Sequence, residues 1–486
     1  MRSRRISRNT LINMAGAVAP LMLTLLTVPT YLRLVGEVRF GVLALVWLLL
    51  SYFAMFDMGL GRGTVRAMSR LRVASREERS SLFWTAMAIN TVFGAVGGLI
   101  LWAAARVLFA SWLRVPAELH SELFFALPWL AAAVPVATNL SVMVGALEGM
   151  ERFLALNALQ VFGSAVFQLF PLAVARWHRP ELGWLIGSAV LARIVSSIPM
   201  FLACRKFVPL SSPRELNARQ GRELFSFGGW ITISGLLTPV MATMDRLLIG
   251  AISGAAAVTY YTIPCNFATK FSMLPASLSR TLFPRFSAQE VEQQGELGAR
   301  ALLALGAVLT CAVPAVIPLV HPFFHWWIGQ TIAARSSHLG EVLLVGIWAN
   351  GWSWISVAQL QARGRPDLVA KFHAVEVVPF LFALWMGLKW GGAEGAAVVW
   401  ALRTFMDACL VLYASGMLQR VAASFMSGLS MLTFTAVTVR FATDSLPLRV
   451  VISFGVLCLG ACWTAVFARH AFPSIRRSPF FAAAAR

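Results

Sequence analysis

Fourteen hydrophobic segments, each long enough to cross a bilayer, run from Leu11 to Phe467 and leave almost no chain for a soluble domain. A spanning helix takes about 20 apolar residues, because the hydrocarbon is about 30 Å thick and each residue rises about 1.5 Å. The pattern predicts spans at 11–35, 40–60, 82–110, 123–147, 153–175, 183–203, 225–250, 255–283, 301–320, 339–361, 372–388, 393–418, 423–440 and 449–468. The expected fold class is an all-α polytopic membrane protein of about 14 transmembrane helices. At 58% hydrophobic and 13% charged residues, with a mean hydropathy of +0.72, the chain lies outside the range of soluble domains.

The +20 net charge has a topological explanation. With the N-terminus placed in the cytoplasm, inner loops carry 26 of the 41 Lys and Arg residues and outer loops carry 6. Retention of positive charge on the cytoplasmic side sets orientation, and the alternation holds through all fourteen spans. Both termini and the loops at 61–81 and 204–224 are therefore expected inside, and residues 111–122 and 321–338 outside. The same basic loops would touch anionic lipid head groups, which leaves nucleic acid without a role. The basic start, Met1 to Arg5, reads as the flank of an uncleaved first span in a bacterial inner membrane.

Enzyme and metal signals are missing from the sequence. No phosphate-binding glycine loop, HExxH or GxSxG pattern occurs in a suitable context, and no cofactor or metal is expected. The six cysteines have no paired spacing and read as small hydrophobes. His321 and His325, four apart on an expected outer loop, lack a carboxylate or cysteine companion.

A weak internal echo suggests organisation. Span 1 ends at Arg33-Leu34-Val35-Gly36 and span 7 at Arg246-Leu247-Leu248-Ile249-Gly250. Span 4 ends at Gly149-Met150-Glu151-Arg152 and span 10 at Gly364-Arg365-Pro366-Asp367. Two six-helix lobes would then occupy 1–205 and 206–420, with two appended helices and a tail at 421–486. Repeats of this kind are common in transporters, where one lobe rocks against the other.

Those residues also carry a family resemblance. Leu34-Val35-Gly36-Glu37-Val38-Arg39-Phe40-Gly41 and Phe56-Asp57-Met58-Gly59-Leu60-Gly61 resemble the opening of bacterial polysaccharide-exporting flippases. Gly145 through Phe153, Phe227-Gly228-Gly229-Trp230, Asp245-Arg246, Tyr260 through Pro264, Leu282-Phe283-Pro284 and Gly364 through Asp367 follow in the matching order, to about residue 418. The family is the polysaccharide transporter branch, of O-antigen or exopolysaccharide flippase type, within the multidrug/oligosaccharidyl-lipid/polysaccharide exporter superfamily. The resemblance implies two six-helix lobes around a central cavity and a lipid-linked oligosaccharide carried on undecaprenyl pyrophosphate. Polysaccharide polymerase and other assembly proteins are the partners expected beside it.

Ionisable residues at membrane depth are costly and tend to mark a pathway. Arg193, Lys270, Arg403 and Arg246 are the candidate cationic lining for such a cargo, with guanidinium forks suited to phosphate oxygens. Local pairing is the competing account, because Arg403 and Asp407 share a helix face. Asp57 and Glu376 are candidate coupling-ion sites or structural caps. Glu148, Glu151 and Arg152, with Arg365, Asp367 and Lys371, occupy matching span ends and read as inner-gate pairs or ordinary loop charges. Pro20, Pro29, Pro239, Pro264 and Pro275 are candidate hinges.

A secondary transporter, not an enzyme, accounts best for this set. It would flip a lipid-linked oligosaccharide from the inner to the outer leaflet by alternating access, for surface polysaccharide. A multidrug or cation antiporter of the same superfamily is the alternative, and a basic midplane disfavours cationic cargo. A membrane glycan polymerase or ligase would need a larger outer loop than the 18 or so residues at 321–338.

Overall fold

The computed structural model describes residues 20–53, 57, 59–71, 75–208, 241, 243–287, 290–441 and 445–471. Helices α1 to α7 cover Pro20–Val35, Glu37–Phe53, Leu60–Arg70, Arg76–Val107, His120–Gly149, Phe153–Trp177 and Leu182–Phe207. Helix α8 covers 243–252, and α9 to α12 cover Ala255–Thr269, Met273–Ser287, Val291–Val316 and Val320–Ile328. Helices α13 to α16 are Gln330–Ala362, Pro366–Ala414, Leu418–Phe441 and Leu446–Ala471. Among the described residues there is no strand, and the described parts of the expected spans are almost wholly helical; 11–19 of the first span and 225–240 of the seventh lie outside the described residues. Eight helical stretches are long and apolar enough to cross a membrane by length and composition.

One of those stretches holds two expected spans. Gly392 breaks α14 with φ 57° and ψ −142°, a conformation that only a residue without Cβ adopts readily. The chain then doubles back. A Cβ on Gly395 would lie 2.0 Å from the carbonyl oxygen of Gly387, so the two arms touch backbone to backbone. The first arm, 366–391, has two distinct faces. Val375, Val378 and Phe382 are exposed, whereas Glu376, Phe380 and Leu384 are buried. An apolar stripe left outside while a carboxylate goes inside is the pattern of a helix solvated by lipid.

The chain divides into two compact units, Met1–Thr259 and Tyr260–Arg486. The expected boundary at 205/206 is followed by 209–240, which lie outside the described residues, as do Pro239 and the 1–19 stretch. In the first unit, α3 is a short amphipathic helix where a loop was expected. Leu60, Thr64 and Met68 lie one turn apart and are fully buried against α4, α5 and α7, while Arg66 and Arg70 remain exposed. In the second unit, Trp348, Trp352 and Phe425 form an aromatic core with ring centroids 5.2–5.9 Å apart. The indole of Trp348 donates to Thr310 Oγ1 at 3.0 Å, so this large side chain is buried without an orphaned donor.

Two further expectations change. Residues 321–338 are almost wholly helical, in α12 and the start of α13. His321 and His325 therefore stand one turn apart on α12, with rings stacked at 6.3 Å. Lys270, expected near the middle of a continuous span, sits in a 3-10 turn, Lys270–Ser272, between α9 and α10. Pro275 explains the break: it has no N–H for the carbonyl of Phe271, and its ring collides with that carbonyl in a regular helix.

Candidate functional site

The first unit contains two adjoining cavities that share Leu140 and Val144 as a wall. The larger, about 410 Å³, lies among α1, α5, α6 and α7, and Arg193 of α7 lines it. Arg193 is half-buried, its guanidinium 4.6 Å from the ring centroid of Phe167. Among the described residues, no Asp or Glu lines this cavity. It therefore has a single positive charge among neutral amides, hydroxyls and apolar walls, which is a local potential favouring an anionic group.

The second cavity, about 390 Å³, has Asp57 and Glu148 on its wall. Asp57 accepts three hydrogen bonds, from Ser141 Oγ at 2.5 Å, Asn90 Nδ2 at 2.7 Å and the Gly61 amide at 3.1 Å. The last of these caps the first turn of α3. The geometry thus supplies the cap that was one of the two readings of this residue. Glu148 is exposed on the same wall.

Arg246 and Lys270 do not line the larger cavity. Arg246 is half-buried on α8, and its backbone amide donates to Asp245 Oδ1 at 2.8 Å. Lys270 is exposed.

Arg403 has a partner that spacing alone did not suggest. The hairpin in α14 brings its Nε to 3.5 Å from Glu376 Oε2, 27 residues earlier, and its guanidinium lies over Phe380. On the same two arms, His373 Nε2 is 3.5 Å from Asp407 Oδ1, and Ser353 Oγ of α13 donates to Asp407 Oδ2 at 3.1 Å. Glu376 and Asp407 are both buried. The hairpin thus holds two buried carboxylates, Glu376 beside a guanidinium that is always charged and Asp407 beside an imidazole that can gain a charge.

The inner-gate candidates occupy two turns with one backbone design. After α5, the amides of Met150, Glu151 and Arg152 donate to Ala146, Glu148 and Leu147 carbonyls; after α13, Arg363, Gly364 and Arg365 donate to Gln359, Gln361 and Leu360. Both are left-handed C-caps, with Glu151 at φ 56° and Gly364 at φ 72°. In both turns the left-handed residue follows the helix by two positions, Glu151 in one and Gly364 in the other, and α14 closes the same way through Ser415, Gly416 and Met417 on Val411, Tyr413 and Leu412. Arg152 lies over the Phe207 ring at 5.0 Å. Arg365 and Lys371 both reach Asp367, at 3.3 and 3.2 Å, in an exposed cluster within the second unit. Arg363, just beyond α13, donates to Gln294 Oε1 and to the Ser415 carbonyl, and burial followed by the nearby Arg420 charge pushes its pKa down.

Several contributors escaped the sequence reading. Gln160, Ser164 and Gln168 recur every fourth residue in a mostly apolar span, a polar stripe on one helix face that was legible in the spacing. Asn90, Ser141 and His373 gave no signal, because each acts through a neighbour distant in sequence.

Comparison with known proteins places this arrangement in a family. A family model described as "Polysaccharide biosynthesis protein" matches residues 6–289. A Shigella flexneri protein named "Putative O-antigen transporter" is 26% identical over 408 residues, covering 84% of this chain and 96% of its own length. The lipid II flippase MurJ, in an inward closed conformation, superposes with a TM-score of 0.70 at 11% identity, over 95% of this chain and 99% of that one. An inward-facing multidrug resistance MATE family transporter of the MOP superfamily superposes with a TM-score of 0.68 at 16% identity, over 85% and 99%. With more than half its length matching the family model, this multi-pass membrane chain belongs to the polysaccharide biosynthesis protein family.

Proposed function

We propose that the protein is a flippase that carries an undecaprenyl-pyrophosphate-linked oligosaccharide from the inner to the outer leaflet of the bacterial inner membrane. The cationic cavity is the observation that carries this reading: Arg193 lines about 410 Å³ with no carboxylate among the described residues of the wall, which suits an anionic cargo. The relative from Shigella flexneri and the MurJ fold support the same substrate class. The same wall disfavours a cationic drug. No bond is made or broken in such a step, so the protein acts as a secondary transporter, by alternating access, with both termini in the cytoplasm.

Of the two coupling candidates, Glu376 is the better placed. Asp57 already accepts three hydrogen bonds and caps α3, whereas Glu376 faces both Arg403 and the second carboxylate of the α14 hairpin. Polymerase and other assembly proteins would receive the product at the outer leaflet.

A deletion strain tests the proposal. Surface polysaccharide should be lost while the lipid-linked precursor continues to be made with its normal repeat composition. Unchanged surface glycan together with lost drug resistance would move the assignment to the antiporter class.

A further inference from the structure

The polar stripe on α6 is expensive unless something hydrophilic meets it. Gln160, Ser164 and Gln168 lie one turn apart in the middle of a mostly apolar helix, and all three line the cavity that Arg193 shares. Protein partners use only part of this stripe. Gln168 Oε1 accepts from the hydroxyls of Thr24 at 3.2 Å and Thr27 at 3.1 Å, both on α1. Tyr31 OH donates to the Gln168 carbonyl at 3.1 Å, which fixes that turn of the helix. The amide oxygen is thereby occupied, and the amide NH2, placed by that assignment, retains two donors. Gln160 and Ser164 have no hydrogen-bond partner among the described residues.

Arg193 completes the pattern. The guanidinium lies over the Phe167 ring, and its N–H donors have no hydrogen-bond partner among the described residues. Ser196 donates to the Arg193 carbonyl at 2.9 Å and holds that turn of α7 in place. One cation thus stands beside a row of amide and hydroxyl groups one helical turn apart, in a cavity whose volume falls within the ~300–1,000 Å³ of small-molecule pockets. The complementary ligand has one anionic group attached to a ring bearing several hydroxyls.

We propose that this cavity binds a glycosyl phosphate, with phosphate oxygens on Arg193 and ring hydroxyls on Gln160, Ser164 and Gln168. The inference rests on the flippase reading and deepens it: in that cargo, the sugar bonded to phosphate is the one at the lipid end. The cavity would then read the identity of that first sugar. A phospholipid with a polyol head group offers the same chemistry, so the test separates the two sources.

Purified full-length protein in neutral detergent is titrated with glucose 1-phosphate, galactose 1-phosphate and N-acetylglucosamine 1-phosphate, following tryptophan fluorescence and thermal unfolding. At least one should bind at least tenfold tighter than inorganic phosphate or its own methyl glycoside. Arg193→Gln should weaken that binding at least tenfold, and Arg193→Lys less, since charge survives without the fork. Gly163→Leu should abolish it by filling the cavity while leaving the charge. A Cβ at Gly163 meets Ser196 Cβ at 3.4 Å, an ordinary contact, and the unfolding temperature without ligand reports whether each variant is folded. No response to any of the three sugar phosphates overturns the proposal. So does equal affinity for inorganic phosphate, or unchanged affinity in Arg193→Gln. Equal competition by phosphatidylglycerol in mixed micelles would make it a lipid head-group site instead. Absent binding, with precursor still trapped inside in a deletion strain, removes this site and leaves the flippase. Binding with normal export in that strain does the reverse.

Discussion

Arg39 and Glu122 meet fork to fork, Nε on Oε2 at 3.1 Å and Nη2 on Oε1 at 2.7 Å, although 83 residues separate them. The same Oε2 accepts the Leu182 amide at 3.0 Å, at the N-terminus of α7. One carboxylate therefore ties the starting turns of α2, α5 and α7, aided by the partial positive charge of a helix N-terminus. Arg39→Ala should lower stability by about 1–3 kcal/mol, and Arg39→Ala with Glu122→Ala should cost less than the two single changes added. Thermal unfolding of the four proteins in detergent gives the coupling energy. Additive losses would show that the pair contributes nothing of its own.

The two left-handed C-caps should respond in opposite directions. Gly364→Ala puts a Cβ into a backbone with φ 72°, at a cost of about 1–2 kcal/mol, although the space around it is open. Glu151→Gly removes the same penalty at φ 56° and should leave stability equal or higher. Unfolding midpoints check both, and a destabilised Glu151→Gly would mean the side chain supplies more than the cap loses.

These turns also show where sequence reading ends. Runs of apolar residues placed the expected spans on helix wherever the structure describes them, and the gap between the spans at 372–388 and 393–418 fell on the hairpin within α14, because both features are local. The amphipathic α3 was legible too, in the spacing of Leu60, Thr64 and Met68, but its arginines made the segment look like a loop. Arg39 with Glu122, and Arg403 with Glu376, were not legible. Each pair is created by a fold that returns distant turns to one place, and the nearer Asp407 was a reasonable partner for Arg403 on spacing alone.

Breaking the α14 cluster should depend on which charge is removed. Arg403→Ala leaves Glu376 buried without its cation, at about 3–5 kcal/mol, and should reduce membrane abundance sharply. Glu376→Gln keeps shape and removes one carboxylate, so abundance should hold while export falls. Arg403→Ala with Glu376→Ala should recover part of the lost abundance. Immunoblots of membranes with a surface-glycan assay distinguish these cases, and normal export by Glu376→Gln at normal abundance excludes it from coupling.

Topology can be mapped with single cysteines in a variant lacking the six native ones. Impermeant labelling of whole cells should reach positions within 111–122 and 321–338, and should miss 61–81 and 204–224. Labelling at 204–224 with protection at 321–338 would invert the orientation and remove the gate assignments.

Reconstitution is the most direct measurement of the central claim. Purified protein in liposomes is supplied with an undecaprenyl-pyrophosphate oligosaccharide carrying a fluorescent sugar tag, and an impermeant quencher added outside reports the leaflet of each molecule. In protein-free liposomes the inner-leaflet fraction should stay protected. With the protein, and with any required ion gradient applied, that fraction should become quenchable over minutes, and Arg193→Gln should slow the rate at least tenfold. An inner-leaflet fraction that stays protected in the presence of folded protein, under proton and sodium gradients of either direction, would contradict the flippase account.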